Sequence, residues 1–261
     1  MTVYRVVPGA VTSPVILHVP HASRELTTVA RQRILLSDAA LSAELDAMTD
    51  AHTDVIALRA ASAAVTAPWV FVNRYSRLVV DPERFPDERE EMRAVGMGAV
   101  YTRTSSGAPL RVEDPVHVEE LLGTHYRPYA AEIASLVDDR LAATGRAVIL
   151  DVHSYPSRAL PYELHGSGER PAVCLGTDAA HTPPELLDAA REAFAAYGTV
   201  DVDTPFAGCY VPLRHYRRDA RVAALMVEIR RDGYLTEPGG PPTPGIDRIA
   251  TALGRLVDTV P

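Results

Sequence analysis

The chain has 261 residues, 47% of them hydrophobic, which suits one large α/β domain or two small ones with a substantial core. Its 26 basic and 34 acidic residues leave a net charge of −8. That balance excludes a nucleic-acid binder or a basic membrane-surface protein, yet leaves room for small anions held by local arginines.

The first residues, MTVYRVVPGAV, lack a basic start followed by an apolar stretch, so no signal peptide is expected. No apolar run approaches membrane-spanning length, and the expectation is a soluble cytoplasmic protein. Val15–Val19 (VILHV) reads as an early central strand whose turn, Pro20-His21-Ala22-Ser23, carries His21. His18, inside that strand, reads as a packed histidine. Ser37-Asp38 opens a helical region with Leu41, Leu45 and Met48 on one face, and its second half holds DAHTD, Asp50 to Asp54. On a helix Asp50 and Asp54 would share a face, while His52 would point elsewhere.

Trp69–Val72 predicts a third strand, followed by NRYSRLVVDPERF, in which LVVD predicts another. Arg74, Arg77 and Arg84 fall in this β-rich segment, where guanidinium groups can clamp a carboxylate through paired N–H donors. Residues 86–111 are polar and contain glycine; so long a loop predicts an insertion that covers substrate or contacts a subunit. Residues 113–145 predict a helical hairpin or a kinked helix, interrupted at Pro128 and ended by Gly145.

The run AVILDVHSYPSR, Ala147 to Arg158, predicts a strand buried on both faces, of the kind found inside parallel sheets. Chemistry in open α/β sheets sits beyond the carboxyl ends of such strands. Asp151 and His153, two apart, point to the same side there, and an acid can fix the tautomer of a metal-ligating histidine. Pro171–Gly176 predicts a further strand, with Cys174 as a reduced core thiol. The two cysteines, Cys174 and Cys209, are too few for a disulfide framework. Thr182 is expected to cap a helix over Leu186–Tyr197 with prolines in its first turn, and residues 206–216 predict a loop and short strand. Val222–Ile229 predicts the last core strand, delivering Glu228, and Ile246–Val257 a closing amphipathic helix. No repeat or linker divides the chain, which predicts one domain over residues 1–261.

Three polar ends then converge: His21, His153 and Glu228. Two imidazoles with a carboxylate from Asp50 or Asp54 would make a three-ligand zinc site with an open position for water. Glu228 is the natural proton shuttle to a leaving amine. No G-x-S-x-G elbow is present and no glycine-rich phosphate loop follows the first strand, which disfavours a serine hydrolase and a nucleotide enzyme.

The stretches HVPHAS, TDAHTD, NRYSRLVVDPERF, GMGAVYTR, HYRPY, ILDVHSYPS, VCLGTDAAHTPPEL and VEIRRDGYL together resemble the N-formylglutamate amidohydrolase family over most of the chain. The resemblance implies an α/β fold of three αβα layers on a mixed, mostly parallel sheet, similar to zinc carboxypeptidases. It implies one Zn2+ per chain and release of formate from N-formyl-L-glutamate, a small acidic N-acyl amino acid. On that likeness His21 and His153 are metal ligands, Glu228 the catalytic base or acid, and Arg74, Arg77 and Arg84 the binders of substrate carboxylates. Two departures stand out. The carboxypeptidase pattern has a glutamate three residues after its first histidine, whereas here Arg24 fills that place and Glu25 follows. Asp50 is therefore preferred as third ligand, then Asp54, then Glu25. Ala172 stands where an acid is expected before VCLG, which points to a shifted substrate preference. The competing readings are a carboxypeptidase-like amidase on another N-acyl or peptidyl substrate, and a non-catalytic module that binds an acidic metabolite.

Overall fold

The computed structural model describes residues 2–163 and 169–260. Seven strands form one sheet in the order β1-β3-β2-β4-β7-β5-β6. They are β1 (Tyr4–Val7), β2 (Val15–Val19), β3 (Trp69–Asn73), β4 (Ala147–Tyr155), β5 (Val173–Gly176), β6 (Val200–Val202) and β7 (Val222–Arg230). The central strands β3, β2, β4 and β7 run parallel, β1 and β5 pair antiparallel to them, and β6 is parallel to β5. The helices are α1 (Thr28–Arg33), α2 (Asp38–Met48), α3 (Thr53–Ala63), α4 (Pro115–Leu121), α5 (Arg127–Thr144), α6 (Pro184–Phe194) and α7 (Gly245–Thr259).

Alternation along β4 assigns its two faces. Val148, Leu150 and Val152 pack with Ile56 and Ala60 of α3, Leu186 of α6 and Leu253 of α7. Ala147 and Ile149 pack on the other side with Tyr129, Ile133 and Val137 of α5. The fold is thus α/β, with helices on both faces of a mixed, mostly parallel sheet, and every residue of β4 is buried. That is why its sequence is apolar without interruption until Asp151.

Several local expectations change. DAHTD is not one helix: α2 ends at Met48 and α3 begins at Thr53, with His52 at φ 66° between them. Asp50 lies in the link and Asp54 in the first turn of α3, so the two do not share a helix face. LVVD is not a strand. The Ser76 hydroxyl accepts the Leu78 N–H and its carbonyl the Val79 N–H, which closes a turn instead of a ladder. The apolar run is explained by burial on two sides, Leu78 in one cluster and Val79 with Val80 in another.

Residues 115–144 form a kinked helix and not a hairpin. Leu122–Tyr126 makes a π-turn between α4 and α5, with the Arg127 N–H bonded to the Leu122 carbonyl. Pro128, which has no N–H and crowds the carbonyl four residues back, follows the widened turn directly. Gly145, at φ 79°, closes α5 as expected. Thr182 does not cap α6: its hydroxyl donates to the Ala224 carbonyl of β7, and Pro183 holds the cap position without a side-chain bond. No strand forms within residues 206–216; the short strand lies earlier, at β6. Among the described residues no helix is long and apolar enough to cross a membrane.

Candidate active site

The carboxyl ends of the parallel strands meet around a cavity of about 460 Å³. β4 delivers Asp151 and His153, and β7, in register with it, sets Glu228 opposite His153. His21 follows the end of β2. The link between α2 and α3 is tied to that end by the Asp50 N–H, which donates to the His21 carbonyl at 3.0 Å. The left-handed turn at His52 lets the chain reverse there, so that Asp50 faces the strand ends while α3 runs back along the sheet.

His21 Nδ1 and His153 Nδ1 stand 3.2 Å apart. Asp50 Oδ2 lies 3.1 Å from His153 Nδ1 and 3.6 Å from His21 Nδ1. A tetrahedron drawn around zinc with bonds of 2.0–2.1 Å has edges of about 3.3 Å, so these three separations fit a zinc ion. The opposite edge of each ring faces carboxylates, by a hydrogen bond at His21 and by ion-pair distances alone at His153, whose Nε2 has no hydrogen-bond partner among the described residues. His21 Nε2 is 2.9 Å from Asp81 Oδ1, and His153 Nε2 is 3.1 Å from Asp151 Oδ1 and 3.0 Å from Glu83 Oε2. With a cation between Asp50 and the rings, the carboxylates behind both rings would favour the tautomers that turn Nδ1 lone pairs toward it. A second group, His21, Glu83 and His153, also has ligand atoms within 4.8 Å of one another. Its Glu83 oxygen lies on the Nε2 side, 3.9 Å from His21 Nε2 and 3.0 Å from His153 Nε2. The Nδ1 side, with Asp50, and the Nε2 side, with Glu83, are thus two candidate cation seats.

The surrounding charges brace this centre. Arg231, buried at the end of β7, donates to Asp50 Oδ1 at 3.1 Å and to the carbonyls of Ala47 and Ser154. Burial works against ionisation of Asp50, but hydrogen bonds from His153 and His21 hold its carboxyl well below the usual carboxylate range. Asp81 is likewise held low against burial, chiefly by the Arg77 guanidinium, which bonds it through Nε and Nη2, and Tyr101 donates to it as well. Burial opposes a charge on His153, yet Asp151 and Glu83 raise its pKa well above the ordinary value, so the centre attracts positive charge. Glu228 differs: burial pushes its carboxyl up to about 7, and Oε2 has no hydrogen-bond partner. A carboxyl poised near neutrality beside the cation seat can take and return a proton.

Of the arginines named from sequence, Arg77 and Arg84 line the cavity and Arg74 does not; it is exposed, and its backbone serves Val3 and Ser23. Arg77 spends Nε and Nη2 on Asp81 and Tyr101. Among the described residues Arg84 makes no side-chain hydrogen bond; Asp81 lies at 3.7 Å and Glu90 at 3.8 Å, and its buried Nε is unpartnered. Asp54 and Glu25 do not line the cavity. The expected insertion does reach it, through Glu91 and Met92. Asp81, Glu83 and Arg231 were not singled out by sequence. A weak signal existed for Asp81, an acid ending an apolar run four residues after Arg77; Arg231 lies beyond its strand and carried none.

Fold and centre together are those of an α/β enzyme whose polar groups gather at parallel strand ends. The family model of N-formylglutamate amidohydrolase matches residues 13–235. The chain belongs to that family, and is thus of amide-hydrolysing kind. It is similar to the crystal structure of N-formylglutamate amidohydrolase from Ralstonia eutropha JMP134, with a TM-score of 0.83 and 19% identity over 99% of this chain and 96% of that one. It is also similar to the structure of a gene product from Agrobacterium tumefaciens, with a TM-score of 0.70 and 19% identity over 98% of this chain and 94% of that one. At such identities the likeness is one of fold. No curated protein matches the sequence.

Proposed function

We propose that the chain, acting as one catalytic domain, is a zinc-dependent amidohydrolase that converts N-formyl-L-glutamate and water into L-glutamate and formate. The observation that carries this reading is the triangle of His21 Nδ1, His153 Nδ1 and Asp50 Oδ2, at 3.1–3.6 Å, beside the unpartnered Glu228 Oε2. These three residues would hold the ion. Zinc, when bound, supplies a Lewis acid and brings the pKa of water to about 7.

The other steps belong to the chain's own groups. Glu228 Oε2 takes a proton from the attacking water and passes it to the amide nitrogen, which leaves as the amino group of glutamate. Asp81 and Asp151 keep the two rings in their ligating tautomers, and Arg231 keeps Asp50 ionised and turned inward. The Arg84 guanidinium, lacking any hydrogen bond of its own among the described residues, takes a substrate carboxylate, with Arg77 Nη1 as second donor. A formyl group has no side bulk, so selectivity rests on the amino-acid half.

Purified protein loaded with zinc is expected to release formate stoichiometrically from N-formyl-L-glutamate, and faster than it cleaves other N-acyl amino acids or short dipeptides. Faster turnover of another N-acyl amino acid or a dipeptide would replace the substrate. Saturable binding of an acidic metabolite with no turnover of any of these compounds would remove the catalytic reading altogether.

A further inference from the structure

His18 is a buried histidine that the reaction does not use. It sits in the interior of β2, in register with Asp151 of β4, and is fully buried. Tyr210 stacks on its ring at 4.5 Å between centroids, while Phe71 and Tyr129 flank it at 6.1 and 5.8 Å. A polar ring in such a place is costly unless both nitrogens are satisfied. Both are: Nδ1 lies 2.8 Å from Asp151 Oδ1 and Nε2 2.5 Å from the Tyr129 hydroxyl. The same Asp151 Oδ1 lies 3.1 Å from His153 Nε2, and Asp151 Oδ2 accepts the Tyr210 N–H at 3.3 Å.

One assignment of protons serves both nitrogens of His18 and leaves the Asp151 charge facing His153. The Tyr129 hydroxyl donates to His18 Nε2 and His18 Nδ1–H donates to Asp151, whose Oδ1 stands 3.1 Å from His153 Nε2, an ion-pair contact without a hydrogen bond that favours a proton on that nitrogen. His153 Nδ1 is then left with a lone pair facing His21 and Asp50. Glu83 Oε2 competes for His153 Nε2 at 3.0 Å, but it stands on a loop and is partly exposed, whereas Asp151 is fixed in a strand. We propose that His18 and Tyr129 are positioning residues that aim His153 at the metal, acting through Asp151 on the same face of the sheet. This rests on the reading of His153 as a zinc ligand.

The test is the zinc dissociation constant of the full chain, measured by competition with a chromophoric chelator. His153→Ala serves as control: if wild-type protein binds no zinc, or His153→Ala binds as the wild type does, the metal-site reading itself has failed. Given that site, His18→Leu is expected to weaken zinc by about 10–100-fold, the usual cost of losing such outer support. His18→Asn, whose amide N–H can replace Nδ1–H, is expected to recover most of the loss. A histidine that merely fills space predicts the reverse order, since leucine suits an apolar sheet better than asparagine. Zinc affinity of His18→Leu within twofold of wild type, or weaker binding by His18→Asn than by His18→Leu, overturns the proposal. Should His18→Leu not fold, Tyr129→Phe decides: a severalfold loss of affinity supports it, and unchanged affinity overturns it.

Discussion

Glu228 and His153 lie side by side on β7 and β4, yet their surroundings press them in opposite directions. Carboxylates raise the histidine's pKa against burial, and burial raises that of the glutamate against nearby cations. The pair therefore divides into a group that welcomes positive charge and one that exchanges a proton. Glu228→Gln keeps the volume and removes the proton, so it is expected to retain zinc, leave KM within a few-fold, and lower kcat by about 10²–10⁴-fold in a formate-release assay. A loss confined to KM would make Glu228 a binding residue. Arg84 predicts the opposite signature. Because its guanidinium has no hydrogen bond among the described residues, Arg84→Ala is expected to raise KM by at least tenfold, with a much smaller change in kcat. Arg74→Ala, on the exposed side, is the matched control, with kinetics like those of the wild type.

Among the elements, β4 is the best guide to the site and the segment after β3 the poorest. A strand covered on both faces must be apolar throughout, so a break into Asp151, His153 and Ser154 at its carboxyl end marks a place where polar groups have a purpose. LVVD has the same local character but is buried by loop packing, which no periodicity reveals. DAHTD misleads for a related reason: one left-handed residue, His52, ends the helical pattern and turns Asp50 inward. The tie between α2 and the insertion is also invisible in sequence. Glu44 accepts the Ser105 N–H at 2.6 Å and its hydroxyl at 2.8 Å, and burial raises the Glu44 carboxyl above its ordinary value of 4.5. The folded chain thus holds this proton more tightly than the unfolded chain. Its contribution is fully present below pH 4.5 and is lost as pH rises through the elevated folded value. Glu44→Gln, which cannot ionise, is expected to flatten the fall in Tm over that window, measured by thermal melts at a series of pH values.

At the scale of the whole molecule, residues 21, 50, 81, 153 and 228 meet because parallel strands end on one edge of the sheet and the segments that follow them turn toward one another. An ion gripped by three such segments stabilises the assembled state and not the separated one. Zinc at a hundred times its dissociation constant is expected to add about 2.7 kcal/mol to unfolding. A chelator should therefore lower the Tm of the wild type, while His153→Ala should melt at one temperature with or without zinc.

The sequence by itself determined the α/β architecture, the buried strand with Asp151 and His153, and the residue types for a two-histidine, one-carboxylate centre, because apolar periodicity and strand alternation are local properties of the chain. Tertiary structure alone decided that Asp50 faces the two rings while Asp54 and Glu25 do not, and that Arg84 has only long ion-pair contacts while Arg77 is hydrogen-bonded and Arg74 is exposed. It alone also decided that Asp81 reaches His21 and Arg231 reaches Asp50. Those outcomes depend on where a side chain ends in space after turns, caps and packing are settled, and a distance of three ångströms between residues a hundred positions apart leaves no trace in either neighbourhood.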